Sequence, residues 1–227
     1  MLKINNLTKR FGNFGAVNHL SLEVSQPGLY LFVGDNGSGK TTLFNLVAGL
    51  INTDDGEISL NNITDADLRR KQLGISAEPF TTEPSLTILE IAEIIRQIKH
   101  VSSAEMKQLL KQWEIWSARE KPFKALSTGM KKRLSLALSM IGDPEYLMWD
   151  EPFNGLDPLG IKLLNEIILN LTRQGKTIFL STHLLNELNV HANTCFVMKN
   201  GNLIGTVHNE PATDFNKTIL NLLKATT

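Results

Sequence analysis

Cysteine is almost missing from this chain. Only Cys195 occurs among the 227 residues, so no disulfide can close within it. That residue stands in the apolar run Cys195-Phe196-Val197-Met198, which reads as a buried structural thiol rather than a reactive one. Net charge is missing too, because 23 Lys and Arg residues balance 23 Asp and Glu residues. A neutral balance supplies no electrostatic footprint for nucleic acid and no pull toward acidic lipid, so no nucleic-acid partner is expected. No uninterrupted apolar run approaches the roughly 20 residues that span a bilayer. The longest candidate, Leu134-Ser135-Leu136-Ala137-Leu138-Ser139-Met140-Ile141, is short and follows a basic cluster. The first residues, Met1-Leu2-Lys3-Ile4-Asn5-Asn6, lack the apolar core of a secretion signal. Internal repeats and low-complexity tracts are absent as well. A cytosolic chain is expected, one that reaches a membrane only through another chain. The apolar share of 42% excludes a disordered or fibrous chain. The length suits one large α/β domain, or one core with a subdomain.

What is present is a phosphate-binding loop. The string Gly34-Asp35-Asn36-Gly37-Ser38-Gly39-Lys40-Thr41-Thr42 fits the pattern G-x-x-x-x-G-K-[ST]. Before it runs Leu29-Tyr30-Leu31-Phe32-Val33, a short apolar strand. After it, residues 43–50 read as a buried helix. Strand, glycine loop and helix form the arrangement that cradles an anion. The glycines let backbone N–H groups turn inward, and the helix start adds partial positive charge. Lys40 is placed to reach β- and γ-phosphates, and the Thr41 hydroxyl to ligate Mg²⁺. A chance Gly/Ser turn before Lys-Thr accounts for neither flank.

Along the rest of the chain the pattern predicts strands over much of residues 2–33, then at 57–60 and 73–76. From Thr87 the period changes, and Ile88, Ile91, Ile94, Ile95 and Ile98 mark one helical face. A second helix begins at Ser102 or Ser103 and runs through Leu109, Leu110 and Trp113. These helices interrupt a β/α alternation, so residues 80–125 read as a helical insertion. The alternation resumes with a strand at 146–149, a helix at 158–173 and a strand at 177–180. A helix at 184–191 and a strand at 194–198 follow. The tail after Thr206 is polar and then weakly amphipathic. Such parallel sheets bind ligands at the carboxyl ends of their strands.

Two further strings carry chemistry. Leu147-Met148-Trp149-Asp150-Glu151-Pro152 is an apolar strand ending in acid. Asp150 suits the Mg²⁺-holding aspartate of phosphate-loop enzymes, directly or through water. Glu151 suits the polarisation of an attacking water. Leu126-Ser127-Thr128-Gly129-Met130-Lys131-Lys132-Arg133 places Ser127 as the N-cap of an apolar helix.

Together these strings resemble the nucleotide-binding subunit of ATP-binding cassette (ABC) transporters, over nearly the whole chain. The resemblance implies an α/β P-loop NTPase fold: a mixed parallel core sheet, an N-terminal antiparallel β-subdomain and a helical insertion. Residues 1–79 and 126–207 would form the β-subdomain and core, 80–125 the helical subdomain, and 208–227 a short tail. The family signature L-S-G-G-Q corresponds to Leu126-Ser127-Thr128-Gly129-Met130. Ser127, Thr128, Gly129 and Met130 are then expected against the ATP of a second subunit. Phe11 takes the position of the aromatic that stacks on adenine, with Val17 a further contact. ATP is expected along Gly34, Asp35, Asn36, Gly37, Ser38, Gly39, Lys40, Thr41 and Thr42. Asp157, in Asn154-Gly155-Leu156-Asp157, resembles the acid of the subunit-crossing loop. His183, in Ser181-Thr182-His183, resembles the switch histidine that steadies the water or Glu151. Catalysis is thus assigned to Glu151 and His183, and Mg²⁺ to Thr41, Asp150 and Glu78.

Glu78 departs from the family, which has glutamine there, and so adds negative charge beside phosphate. Thr128 and Met130 depart from the signature while Ser127 and Gly129 keep to it. The resemblance implies an ATP hydrolase working as a homodimer or a heterodimer. It would sit on the inner face of the cell membrane beneath an integral membrane transporter subunit. That subunit's cytoplasmic helix would enter a cleft near residues 80–116 and Glu78. The signature form is closer to exporters than to importers. A soluble ABC ATPase of translation or DNA repair, a phosphate-loop small-molecule kinase and a non-hydrolytic switch are the competing readings.

Overall fold

Two kinds of strand build the molecule. In β1 (Leu2–Phe11) and β2 (Phe14–Val24) buried and exposed positions broadly alternate, as in antiparallel strands with one wet face. In β3 (Gly28–Val33), by contrast, every residue is buried. The same holds for β6 (Tyr146–Asp150) and β7 (Thr177–Thr182), the pattern of parallel strands covered on both faces. The computed structural model describes residues 1–183, 192–210 and 214–224. The helix expected over residues 184–191 lies outside them.

Among the described residues the strands form two sheets. Strands β1 and β2 join β4 (Asp55–Leu60) in an antiparallel sheet of order β2-β1-β4. The larger sheet has six strands in the order β5-β6-β7-β3-β8-β9, with β5 at Leu73–Ser76, β8 at Thr194–Lys199 and β9 at Asn202–His208. Its first five strands are parallel, and β9 returns antiparallel to β8. The sheet is mixed, as the sequence predicts.

Side-chain alternation along β3 divides the interior. Leu29, Leu31 and Val33 join a core shared with the helices α3 (Ile88–Lys99), α4 (Ser103–Gln112), α5 (Thr128–Ser139) and α6 (Pro158–Arg173). Tyr30 and Phe32 face the other way, into a core with α1 (Lys40–Val47) and the antiparallel sheet.

Several elements differ from expectation. The helix after the glycine loop ends at Val47, and Gly49 takes φ +67° just beyond it, a left-handed exit that suits glycine. Helix α2 (Ala66–Gln72), capped by Asp65, carries no apolar stripe and so gave no periodic signal. Strand β9 was not expected and runs two residues into the tail after Thr206, whose amphipathic part forms α7 (Phe215–Lys224) with Ile219 completely buried. The isoleucine face of α3 is split. Ile88 and Ile91 are buried, while Ile94 and Ile98 are 48% and 65% exposed. The stripe is wider than the surface the protein supplies to cover it.

Candidate functional site

Register aligns the chemistry. Val33, the last residue of β3, pairs with Thr182 at the end of β7, and Asp150, the last of β6, pairs with Ser181. The glycine loop, His183 and Glu151 therefore all leave the sheet at one edge. The loop holds its shape through close approaches. A Cβ on Gly34 would stand 2.1 Å from the Met198 carbonyl oxygen, and one on Gly39 would stand 2.3 Å from that of Ala16. Gly39 also has φ +102° and caps α1 without any side-chain bond, a backbone state that side chains resist.

Lys40 is buried and folds back over the loop. Its Nζ donates to the carbonyls of Gly34 at 2.7 Å and Asp35 at 3.2 Å, and stands 3.7 Å from Glu151 Oε1. The Thr41 hydroxyl donates to Asp150 Oδ2 at 2.7 Å. The other Asp150 oxygen accepts from the Ser181 hydroxyl, which in turn accepts from the Glu151 N–H at 2.9 Å. Glu151 Oε2 lies 2.9 Å from His183 Nδ1. The Glu151 backbone is left-handed, with φ 46°, a strained state for a side chain of that size and one that gathers at functional sites. A basic group, two carboxylates, two hydroxyls and an imidazole thus form one connected chain. Thr41 and Asp150 offer a hydroxyl and a carboxylate, hard oxygen donors of the type Mg²⁺ accepts. No cluster of three or more acidic, His or Cys ligands occurs among the described residues. A cation held here would therefore take its remaining ligands from water and substrate.

A depression of about 200 Å³ opens over this chain, lined by residues 36–42, Glu151, Ala16 and Phe14. Two of the expected ATP contacts, Val17 and Phe11, do not line it. Val17 is fully buried in the core beneath the antiparallel sheet, so its side chain is not presented to the depression; Ala16 is. Phe11 is 53% exposed but lines no part of it, and Lys9 Nζ stands 5.6 Å from its ring. Its cross-strand partner Phe14, 58% exposed, is the aromatic at the rim. Ser181 and Phe14 were passed over in the sequence. A serine closing a buried strand, and an aromatic left exposed at a hairpin, were the available signals.

The remaining candidates lie elsewhere. Ser127 caps α5, its Oγ accepting from the Met130 N–H at 3.2 Å. Ser127 and Thr128 are exposed, and residues 127–130 do not line the depression. The turn at Gly155 packs on them, because a Cβ on Gly129 would stand 3.0 Å from the Gly155 carbonyl oxygen. Asp157 caps α6 through the Gly160 N–H at 2.9 Å and accepts from Arg133 at 3.1 Å. The Gly160 N–H, and then Arg133, hold its carboxyl below the ordinary range. Glu78 pairs with Lys132 of α5. In this structure the Glu78 carboxylate thus meets the Lys132 ammonium.

The model for ABC transporters matches residues 17–154. The chain belongs to the ABC transporter family. This cassette is 32% identical over 188 residues to a lantibiotic transport ATP-binding protein of Streptococcus pyogenes, covering 83% of this chain and 82% of that one. It is also 32% identical to a bacitracin transport ATP-binding protein of Enterococcus faecalis, over 92% of this chain and 69% of the other. Among solved structures it resembles an ATP-binding subunit of an ABC transporter, with TM-score 0.88 and 23% identity, over 99% and 100% of the two chains. A dimeric bacterial ABC transporter cassette matches with TM-score 0.81 and 24% identity, over 92% and 98%. The cassette is accordingly an ATP-binding subunit that hydrolyses ATP.

Proposed function

We propose that ATP binds over residues 34–42 of the cassette and is hydrolysed by Glu151 with His183. The carrying observation is the unbroken chain from Lys40 to Glu151 to His183 at one sheet edge. The loop N–H groups and Lys40 hold the phosphates, and Phe14 or its neighbour Phe11 supplies the aromatic face for adenine. Thr41 and Asp150 hold Mg²⁺, which neutralises phosphate charge when bound. Glu151 accepts the proton of the attacking water, and His183 holds the Glu151 carboxylate in place. Ser181 steadies both acids, bonding Asp150 through its hydroxyl and Glu151 through the main chain.

Two cassettes, identical or not, associate head to tail. Ser127 and Gly129 of each then complete the phosphate site of the other, with Asp157 at the crossing. The exposure of Ser127 and its absence from the lining of its own depression support this reading. Residues 80–125 act as the unit that meets an integral membrane subunit on the inner face of the cell membrane. An apolar groove of about 710 Å³ between α3 and α4, lined by Leu86, Leu89, Ile94, Met106 and Trp116, supports docking there. Relatives named for lantibiotic and bacitracin transport favour outward movement of a peptide antibiotic as the work done.

The test is Glu151→Gln in the purified chain. ATP binding is retained, turnover is lost, and a closed dimer accumulates with ATP. Hydrolysis at the wild-type rate would remove Glu151 from its role.

A further inference from the structure

Beside the buried Leu134, Leu136 and Ala137, α5 carries a second buried stripe that is polar. Lys132, Ser135 and Ser139 are all buried, and their spacing of three and four puts them on one side of the helix. Each has a partner on the sheet side. Lys132 Nζ donates to Glu78 Oε2, Ser135 Oγ lies 2.8 Å from Ser76 Oγ, and Ser139 Oγ accepts from Trp149 Nε1 at 2.9 Å. The approach is close: a Cβ on Gly74 would stand 2.0 Å from the Ser139 carbonyl oxygen. Polar rungs of this kind tolerate one register only, since sliding the helix would strand each buried group without a partner.

The rung at Lys132 is the charged one, and its place in the sheet matters. Ser76 ends β5 and is registered with Trp149, the residue before Asp150. Glu78 follows two residues on, so it emerges at the edge from which Asp150 and Glu151 also emerge. Lys132 is 4% exposed and Glu78 41%. The ammonium is thus the committed partner, and the carboxylate has room to leave. Arg133, next in the chain, bonds Glu114 at 2.8 Å and Asp157 at 3.1 Å. Adjacent basic residues of α5 therefore tie it to different loops.

We propose that Lys132 is a positioning residue for the ATP site, holding and neutralising Glu78 so that this carboxylate stays off the phosphates. The proposal rests on the reading that places ATP at Lys40. Without Lys132, Glu78 is a third negative charge at the edge, repelling the triphosphate or competing for Mg²⁺. The clasp also joins the loop after β5 to the helix that begins at Ser127.

The experiment compares Lys132→Met, which keeps the stem and removes the charge, in chains with Glu78 and with Glu78→Gln. ATP hydrolysis is measured against Mg·ATP and against free Mg²⁺, with a thermal midpoint for each protein. With Glu78 present, Lys132→Met raises KM for Mg·ATP about tenfold. In the Glu78→Gln chain the same change moves KM less than about twofold, because no charge remains to be held. Should Lys132→Met not fold, Lys132→Gln is compared in the same pair of backgrounds. A KM penalty that persists with Glu78→Gln overturns the clasp. So does a coupling seen in the thermal midpoint but not in KM, which would make the pair merely structural. A wild-type chain that hydrolyses no ATP fails differently, overturning the site reading and the clasp with it.

Discussion

His183 Nδ1 lies 2.9 Å from Glu151 Oε2, while Lys40 Nζ stands 3.7 Å from the other oxygen of the same carboxylate. Both Glu151 oxygens therefore face partners, and the carboxylate is held between a cation and an imidazole. Removing the imidazole leaves binding contacts intact and frees one oxygen. His183→Ala is expected to lower kcat about a hundredfold or more with little change in KM. Steady-state hydrolysis by the purified variant checks this, and an unchanged kcat would remove His183 from the mechanism.

The glycine loop tolerates no side chain at its last glycine. Gly39→Ala combines a left-handed backbone with a Cβ 2.3 Å from the Ala16 carbonyl oxygen. The strain is about 1–3 kcal/mol, and the loop must shift to relieve it. Loss of ATP binding with a modest fall in the unfolding midpoint is expected. Equilibrium nucleotide titration and denaturant unfolding measure the two effects separately.

Arg69 is a buried cation whose guanidinium hydrogen-bonds to main-chain oxygens, with the Asp65 carboxylate adding attraction. Its guanidinium donates to the carbonyls of Leu46 and Val47 at 3.4 Å, to Ile58 at 3.1 Å, and to Thr64. It thereby bonds the last turn of α1 to β4 and to the start of α2. Arg69→Met removes the side-chain bonds to four main-chain carbonyls, of which Leu46 keeps the Gly49 N–H at 3.1 Å, and should cost roughly 3 kcal/mol. Arg69→Lys should recover only part of this, since one ammonium lacks the fork that spans them. Urea unfolding of both variants decides the matter, and a loss within experimental error for Arg69→Met would refute the assignment.

Acid should weaken α3 through Glu93. The Arg96 hydrogen bonds, and then that of Gln97, hold the Glu93 carboxyl down at about 2, against an ordinary 4.5. A depressed folded value means the contribution is present above pH 4.5 and disappears as pH falls from 4.5 toward 2. Glu93→Gln should flatten the dependence of the thermal midpoint on pH within that window and leave it unchanged near neutrality. The pair is only half-buried, so added salt should shrink the difference.

Cys195 should be chemically silent in the folded protein. Burial pushes its thiol up to about 12, leaving almost no thiolate at pH 8. Alkylation at pH 8 should proceed only after denaturation. Rapid modification of the native chain would contradict the burial of β8.

The phosphate loop was legible because its pattern is local: fixed glycine spacing, an apolar strand before it and a helix after it. The acidic strand end at Asp150-Glu151 and the Ser127 cap were legible for the same reason. The elements that escaped carried no periodic signal. Helix α2 is short and polar, and β9 survives as an edge strand because β8 offers it a ladder. Phe11 and Phe14 are equivalent as sequence, both aromatic and three residues apart. Only the path of the β1–β2 hairpin puts Phe14 at the rim.

The amino-acid sequence by itself determined which reactive groups are present: a glycine loop with Lys40 and Thr41, the acids Asp150 and Glu151, and a helix start carrying Ser127. They belong to side chains and to short stretches of backbone. Tertiary structure alone decided which of them meet. Strand order set β7 between β3 and β6, so Ser181 became the bridge between Asp150 and Glu151. The packing of α5 on β5 delivered Lys132 to Glu78, 54 residues away in the chain. Contacts at such separation depend on how a whole sheet and its helices share one interior, which no short run of sequence records.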